Sequence, residues 1–200
     1  MTGALNSIFP SLLRDNQLLN NERELNDYSA RTGLLLLATH LFKCFFRLNN
    51  IRLCTQVIKQ IELRRDVFER DLAFFPKGDV VTYHYYGGMI AMFEEEYVKA
   101  DTYLSLAFSQ CHKDSLRHKR FILQYLIPIK LSMGYLPPNT LIKKYNLVMF
   151  EDLIISVKSG NLRLFDETLE KYLGIFIKNG TYLVLEKLKL LVIRNLFKRT

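Results

Sequence analysis

The sequence has few of the features that would place it outside the cell or in a membrane. Its three cysteines, Cys44, Cys54 and Cys111, are odd in number and far apart, which favours reduced thiols in an intracellular chain over a disulfide framework. Its longest stretch without Asp, Glu, Lys or Arg is 14 residues, 80–93, whereas a membrane-spanning helix needs about 20 apolar residues. The N-terminus lacks the basic and apolar segments of a secretory signal. We therefore expect an intracellular chain without a membrane span.

The sequence also lacks the short motifs by which many enzymes bind phosphate or activate a nucleophile. It has no GxxxxGK[ST] loop, no GxGxxG after a strand and no GxSxG turn. Cys111, His112 and His118 lack the paired spacings of a zinc site, so Cys111 is expected to be a buried or helix-end thiol. His40 lies in an apolar segment and is expected to be a core histidine with one hydrogen bond. We expect no catalytic residue, no metal, no cofactor and no small-molecule substrate.

Acidic residues are fewer than basic ones, and the basic excess is concentrated in two segments. The 200-residue chain has 28 Lys and Arg against 20 Asp and Glu, a net charge of +8. From Lys113 to Lys144 there are seven basic residues and one acidic residue, and from Thr181 to Thr200 there are five and one. This balance favours an acidic partner, such as nucleic acid, an anionic membrane surface or an acidic protein.

Eight basic residues in these two segments are the candidate binding residues for nucleic acid or an acidic partner. Those in the last predicted helix fall at i, i+7 and i+11, which places them on one stripe. The eight are Lys113, Arg117, Arg120, Lys143, Lys144, Lys187, Arg194 and Lys198. The alternative is that these charges only keep the surface soluble. Phosphate contacts made by them would be sensitive to salt and largely independent of base sequence.

Hydrophobic periodicity predicts an all-α chain, with no segment of alternating strand pattern. The predicted helices span 31–48, 51–68, 80–93, 97–111, 116–133, 140–145, 148–158, 162–179 and 182–199. Most of the connections are short, so successive helices should pack as antiparallel hairpins. The length fits one domain. We expect residues 1–27 to form a partly ordered leader and residues 28–200 to form the helical-repeat portion.

Three consecutive glutamates, Glu94 to Glu96, raise the question of an acidic site. An alignment to the helical repeat of about 34 residues places Gly88 and Ala100 at a close helix crossing, with the glutamates at the turn. Negative charge at that turn meets the positive end of the next helix dipole. Adjacent residues also point in different directions, rather than facing one another across a cleft. We therefore interpret the run as a solvated turn.

The segment from Val80 to Arg199 resembles the PCI-domain family, named for the proteasome lid, the COP9 signalosome and an initiation factor. The resemblance is carried, in order, by VVTYHYYGGMIAMF, ADTYLSLAFSQCH, KRFILQYLIPIK, LIKKYNL, SGNLRLF and GTYLVLEKLKLLVIRNLFKR. It implies a right-handed stack of TPR-like helical hairpins, followed by a winged-helix module. We expect that module to be missing, because the chain ends at Thr200, where the module would begin.

The resemblance also implies a function. It implies a non-enzymatic scaffold subunit of a complex that couples transcription to messenger-RNA export at the nuclear pore. The implied partners are a scaffold protein of the Sac/GANP type along the helical stack and a small acidic protein of the Sem/Dss type, with RNA or DNA contact left open. The implied location is the nucleus, including the nuclear pore, with the cytoplasm left open. The alternatives are a COP9-signalosome-associated subunit and a helical-repeat module that binds RNA directly.

Overall fold

The computed structural model describes residues 24–63 and 75–198, and these residues form helices and turns without any strand. The all-α prediction is confirmed. The chain divides into two compact units, Met1–Ile90 and Ala91–Thr200. The predicted leader over 1–27 and repeat portion over 28–200 stay a prediction, because residues 1–23 lie outside the described residues.

The described part of the first unit contains α1 (Glu24–Arg47), α2 (Ile51–Glu62) and most of α3 (Lys77–Phe93). Helices α1 and α2 pack together as a hairpin. Asn49 turns the chain between α1 and α2 with a φ of 54°, a left-handed conformation that asparagine tolerates better than most residues. The helix predicted over 31–48 begins seven residues earlier, because the polar segment 24–30 has no apolar periodicity to reveal it. The end of the predicted helix 51–68 lies outside the described residues.

Residues 35–47 of α1 are buried on one side of the helix only. The buried apolar side chains among them are Leu35, Ala38, Leu41, Phe42 and Phe45. The Phe42 ring lies 6.1 Å from the ring of Tyr83 and 5.8 Å from that of Tyr86, both on α3. His40 lies on the exposed side, with its Nδ1 2.8 Å from the Leu36 carbonyl oxygen. The prediction of a core histidine was therefore wrong, because a helix packed on one face leaves the opposite face in solvent even where its residues are apolar.

The second unit contains a series of paired helices. Its described elements after α3 are α4 (Tyr97–Gln110), α5 (Leu116–Ser132), α6 (Asn139–Lys144), a 3₁₀ turn (Val148–Phe150), α7 (Glu151–Ser159), α8 (Leu162–Lys171), α9 (Leu173–Lys178), α10 (Tyr182–Lys187) and α11 (Lys189–Phe197). Helix α4 packs on α5 and α7 packs on α8, so successive helices form the hairpins that the sequence predicts. Helix α10 packs on α5, and α11 packs on both α7 and α8.

The turn between α7 and α8 is set by local sequence and then used in tertiary packing. Gly160 ends α7 with a φ of 72°, and the Asn161 side-chain oxygen accepts a hydrogen bond from the Leu164 amide at 3.1 Å. The Asn195 side chain of α11 donates to the Val157 carbonyl oxygen at 2.8 Å. The backbone of α11 therefore lies directly against this turn.

Two helices that periodicity predicts as continuous are interrupted. The helix predicted over 162–179 breaks at Tyr172, whose φ of −109° and ψ of 14° leave the helical region; Gly174, two residues later, has a low helix propensity. The helix predicted over 182–199 breaks at Leu188, whose amide donates to the Leu185 carbonyl three residues back and tightens the turn. The apolar period continues across both breaks, so periodicity alone did not reveal them.

The three glutamates lie in the exposed turn between α3 and α4, as predicted. Glu95 has a left-handed φ of 62°, and the Glu96 carboxylate lies 3.5 Å from the Lys99 ammonium one turn into α4. Gly88 and Ala100 are both buried, as a close crossing would require. The crossing itself stays a prediction.

Candidate basic surface for nucleic acid or an acidic partner

The first candidate residues lie at the start of α5. Lys113 precedes the helix, Arg117 and Arg120 lie on its first turns, and all three are exposed. Within the described part of the chain, no ion pair joins these three cations to a carboxylate. The neighbouring Asp114 is exposed and lies 3.6 Å from His112. The start of α5 therefore carries positive charge that no described carboxylate compensates by direct pairing.

An aromatic residue that the sequence analysis missed lies beside these cations. Phe121 is four residues after Arg117, which places these two side chains on the same side of α5. Its side chain is 41% exposed, and the guanidinium carbon of Arg117 lies 5.8 Å from its ring centroid, within cation–π range. We name Lys113, Arg117, Arg120 and Phe121 the α5 basic face. This exposure could not be predicted from the residue pattern, because an aromatic at helical spacing is usually a core residue.

The structure also brings Lys143 and Lys144 toward the start of α5. The Lys119 ammonium lies 5.2 Å from the Phe108 ring centroid, and the Phe108 and Tyr145 rings are 6.1 Å apart. The Lys144 ammonium lies 5.6 Å from the Tyr145 ring centroid, and Lys143 beside it is exposed. The ends of α4 and α6 thus meet the start of α5 through an aromatic pair. Sequence reasoning missed this link because its residues are far apart along the chain.

The three candidate residues of the last two helices are not equivalent. The Lys187 ammonium lies 2.6 Å from a Glu95 carboxylate oxygen. This hydrogen bond to Glu95, together with one to Tyr97, raises the pKa of Lys187. Arg194 and Lys198 are exposed, and no ion pair joins either to a carboxylate among the described residues. The three residues of the predicted stripe therefore differ: Lys187 forms an ion pair with Glu95, whereas Arg194 and Lys198 are exposed to solvent.

The remaining side-chain chemistry of the described residues is limited. No group of three or more His, Cys, Asp or Glu in residues 24–63 and 75–198 could hold a metal ion. Cys111 is buried, whereas His112 and His118 are exposed. Burial raises the pKa of the Cys54 thiol to about 11, which keeps it protonated near neutral pH and makes it a poor nucleophile.

Among the described residues, no helix combines the length and the apolar character that crossing a membrane requires. The chemistry that the exposed cations do offer is the binding of anions.

Comparison with known proteins identifies relatives across most of the chain. No protein-family model matches it. The chain is 41% identical over 177 residues to PCI domain-containing protein 2 homolog from Drosophila melanogaster, a match that covers 88% of this chain and 44% of that protein. It is 40% identical over 171 residues to PCI domain-containing protein 2 from Xenopus laevis, covering 86% and 42%. It is 33% identical over 183 residues to Protein CSN12 homolog from Gibberella zeae, covering 90% and 40%.

These relatives bear directly on the family predicted from the sequence. The chain spans less than half the length of each of the three. Identity of this level over most of the chain nevertheless indicates common ancestry, and two of the three relatives carry the family's name. The resemblance predicted from the sequence is confirmed: most of the chain is homologous to proteins named PCI domain-containing protein 2.

Proposed function

We propose that the chain is a non-enzymatic scaffold subunit of a PCI-type complex that couples transcription to messenger-RNA export at the nuclear pore. The observation that carries this proposal is the homology to PCI domain-containing protein 2 across most of the chain. The paired helices of the second unit support a scaffold role, because stacked hairpins present extended surfaces on which another protein can lie. The proposed location is the nucleus, with the cytoplasm as the alternative.

Two protein partners belong to the proposal. A scaffold protein of the Sac/GANP type would lie along the helical stack, and a small acidic protein of the Sem/Dss type would bind near the end of the PCI domain. Charge complementarity supports the acidic partner, because Arg194 and Lys198 are exposed at the end of α11.

Co-expression of the chain with these two partners, followed by size-exclusion chromatography, tests the proposal. We expect the three proteins to elute in one peak. A double variant, Arg194→Glu with Lys198→Glu, should release the acidic protein and keep the scaffold. A chain that co-elutes with COP9-signalosome subunits instead would establish the alternative complex, and a chain that elutes apart from both sets would overturn the proposal.

Direct RNA binding is a second candidate function, favoured by the α5 basic face, whose cations no described carboxylate pairs. If three cations contact the phosphates of a single strand, raising the salt from roughly 50 to 200 mM should weaken binding about 20-fold. Fluorescence anisotropy with a labelled RNA at these two salt concentrations measures the effect. An affinity that does not change with salt would exclude phosphate contacts as the basis of binding.

A further inference from the structure

We propose that the α5 basic face binds single-stranded nucleic acid by stacking an unpaired base on the pair formed by Arg117 and Phe121. The inference rests on the RNA-binding function proposed above, and it adds the strand form that is bound and the contact that selects it.

The geometry of the face combines two planar groups with further cations. The Arg117 guanidinium lies over the Phe121 ring, 5.8 Å from the ring centroid, and both side chains are exposed. A base can stack on an aromatic ring, and it can also stack on a guanidinium plane. Arg120 and Lys113 lie to either side of Arg117 along the chain, where they can contact the phosphates that flank a stacked base.

Stacking of this kind distinguishes single strands from duplexes. In a duplex each base is already stacked between its neighbours, so its faces are not available to a side chain. In a single strand a base can leave its neighbours at much lower cost and place one face on the protein. The four residues of the face would therefore favour a single strand, whereas a surface of cations alone would also attract a duplex.

The opposite end of α5 provides a matched control. Tyr135 is 62% exposed, and the Lys130 ammonium lies 5.4 Å from its ring centroid. This pair resembles Arg117 and Phe121 in type, but Lys130 lies 2.8 Å from the Asp101 carboxylate, which neutralises its charge. Loss of the Tyr135 ring removes a similar exposed aromatic group from a site without excess positive charge.

Fluorescence anisotropy on the full chain tests the proposal with a labelled oligouridine, alone and annealed to oligoadenosine. We expect tighter binding of the single strand than of the duplex. Phe121→Ala should weaken single-strand binding about tenfold, while Phe121→Tyr and Tyr135→Ala should bind as the unchanged chain does. Arg120→Gln should reduce the salt slope by about one phosphate contact, and Phe121→Ala should leave that slope unchanged. Circular dichroism checks that each variant keeps its helical signal.

The outcomes separate this proposal from the function on which it rests. If Phe121→Ala binds normally, or if the duplex binds as tightly as the single strand, the stacking proposal is wrong. A loss of affinity in Arg120→Gln would then still support RNA binding through phosphate contacts. If neither RNA binds while an acidic polyglutamate peptide does, both the stacking contact and the RNA-binding function are overturned, and the face is a protein-binding surface.

Discussion

At the scale of single residues, Gly160 serves two purposes in the second unit. Its φ of 72° ends α7, and a Cβ built on it would lie 2.6 Å from the Leu196 backbone nitrogen and 2.7 Å from the Leu196 Cα. Glycine adopts this φ without a steric penalty. The neighbouring atoms belong to the backbone of α11, so they cannot move aside as the end of a flexible side chain can. One residue therefore ends a helix and allows another helix to pass.

Gly160→Ala should destabilise the fold through both effects. The left-handed conformation costs about 1–2 kcal/mol for a residue with a Cβ, and overpacking adds about 1–3 kcal/mol. Thermal unfolding followed by circular dichroism measures the loss. Gly134→Ala is the matched control, because Gly134 has a φ of 86° and nothing in the described part of the chain lies within 4 Å of its Cβ position. Equal losses in the two variants would show that the contact with α11 is not tight.

His84 gives the first unit a predicted pH dependence. Its side chain is buried in α3, and this burial lowers the pKa of His84 from 6.5, with a backbone hydrogen bond acting in the opposite direction. Because the folded state disfavours the charged ring, the unfolded state binds the proton more readily as the pH falls. The contribution of His84 to stability is therefore complete above the unfolded pKa and is lost as the pH falls from there through the folded pKa.

Denaturant unfolding between about pH 7.5 and 5 measures this effect, since the unfolded pKa of histidine lies near 6.5. As the pH is lowered, the free energy of unfolding of the unchanged chain should decrease. The decrease should be smaller in His84→Gln. The exposed His40 provides the matched variant His40→Gln for comparison. The same slope in His84→Gln as in the unchanged chain would show that His84 does not contribute.

At the scale of elements, helix α4 of the α4–α5 hairpin buries mostly small residues. Ala100, Leu104 and Ala107 are the buried residues of α4, and each is 0% exposed. Alanine at two of these three positions gives the buried face of α4 little side-chain volume, so a neighbouring helix can lie close to it. The same hairpin orients the start of α5, where the α5 basic face lies. The packing of α4 therefore positions the candidate site.

Ala100→Leu should overpack the buried face of α4 and lower the free energy of unfolding by about 1–3 kcal/mol. Thr102, two residues away on α4, is exposed, so Thr102→Leu should change the stability far less. Chemical denaturation of the two variants provides the comparison. An unchanged stability for Ala100→Leu would mean that residue 100 is not at a tight helix contact and that the repeat alignment is out of register.

At the scale of the whole molecule, the last two helices leave large apolar side chains in solvent. Leu183, Leu190 and Phe197 recur at every seventh position and are 67%, 72% and 74% exposed. The buried side chains of the same two helices include Leu185, Leu188 and Val192, and each of these is no more than 1% exposed. The two helices are thus apolar on more than the side that packs against the fold. Extended exposed apolar surface is uncommon on monomeric proteins and often marks an interface.

The purified chain should therefore self-associate at micromolar concentration in the absence of a partner. Light scattering measures its mass in solution. Leu183→Gln combined with Leu190→Gln should reduce association, because the two changes remove apolar area without altering the buried side chains. Val98→Gln is the control, since Val98 is 72% exposed on a different helix, α4. A stable monomer in the unchanged chain would contradict the prediction.

The sequence by itself determined the all-α class, the turns and the resemblance to PCI-domain proteins. These properties depend on residues close together in the chain: apolar spacing selects the helix, and Gly160 and Asn161 end one helix and begin the next. The exposure of His40 and the break at Tyr172 could not be predicted in this way. The exposure of a side chain depends on what packs against its helix, and the helical spacing of apolar residues continues through a local change in backbone angles.

Only the tertiary structure decided which positive charges are paired. Lys130 pairs with Asp101, Lys187 with Glu95 and Lys189 with Asp166. By contrast, no described carboxylate pairs with Lys113, Arg117 or Arg120 on the α5 basic face. The number of charges in a segment can be counted from the sequence, but an ion pair requires two side chains within about 4 Å. Helix packing brings the partners of these pairs together from distant segments. It also leaves Phe121 exposed beside Arg117 and Arg120, which form no ion pair with any described carboxylate.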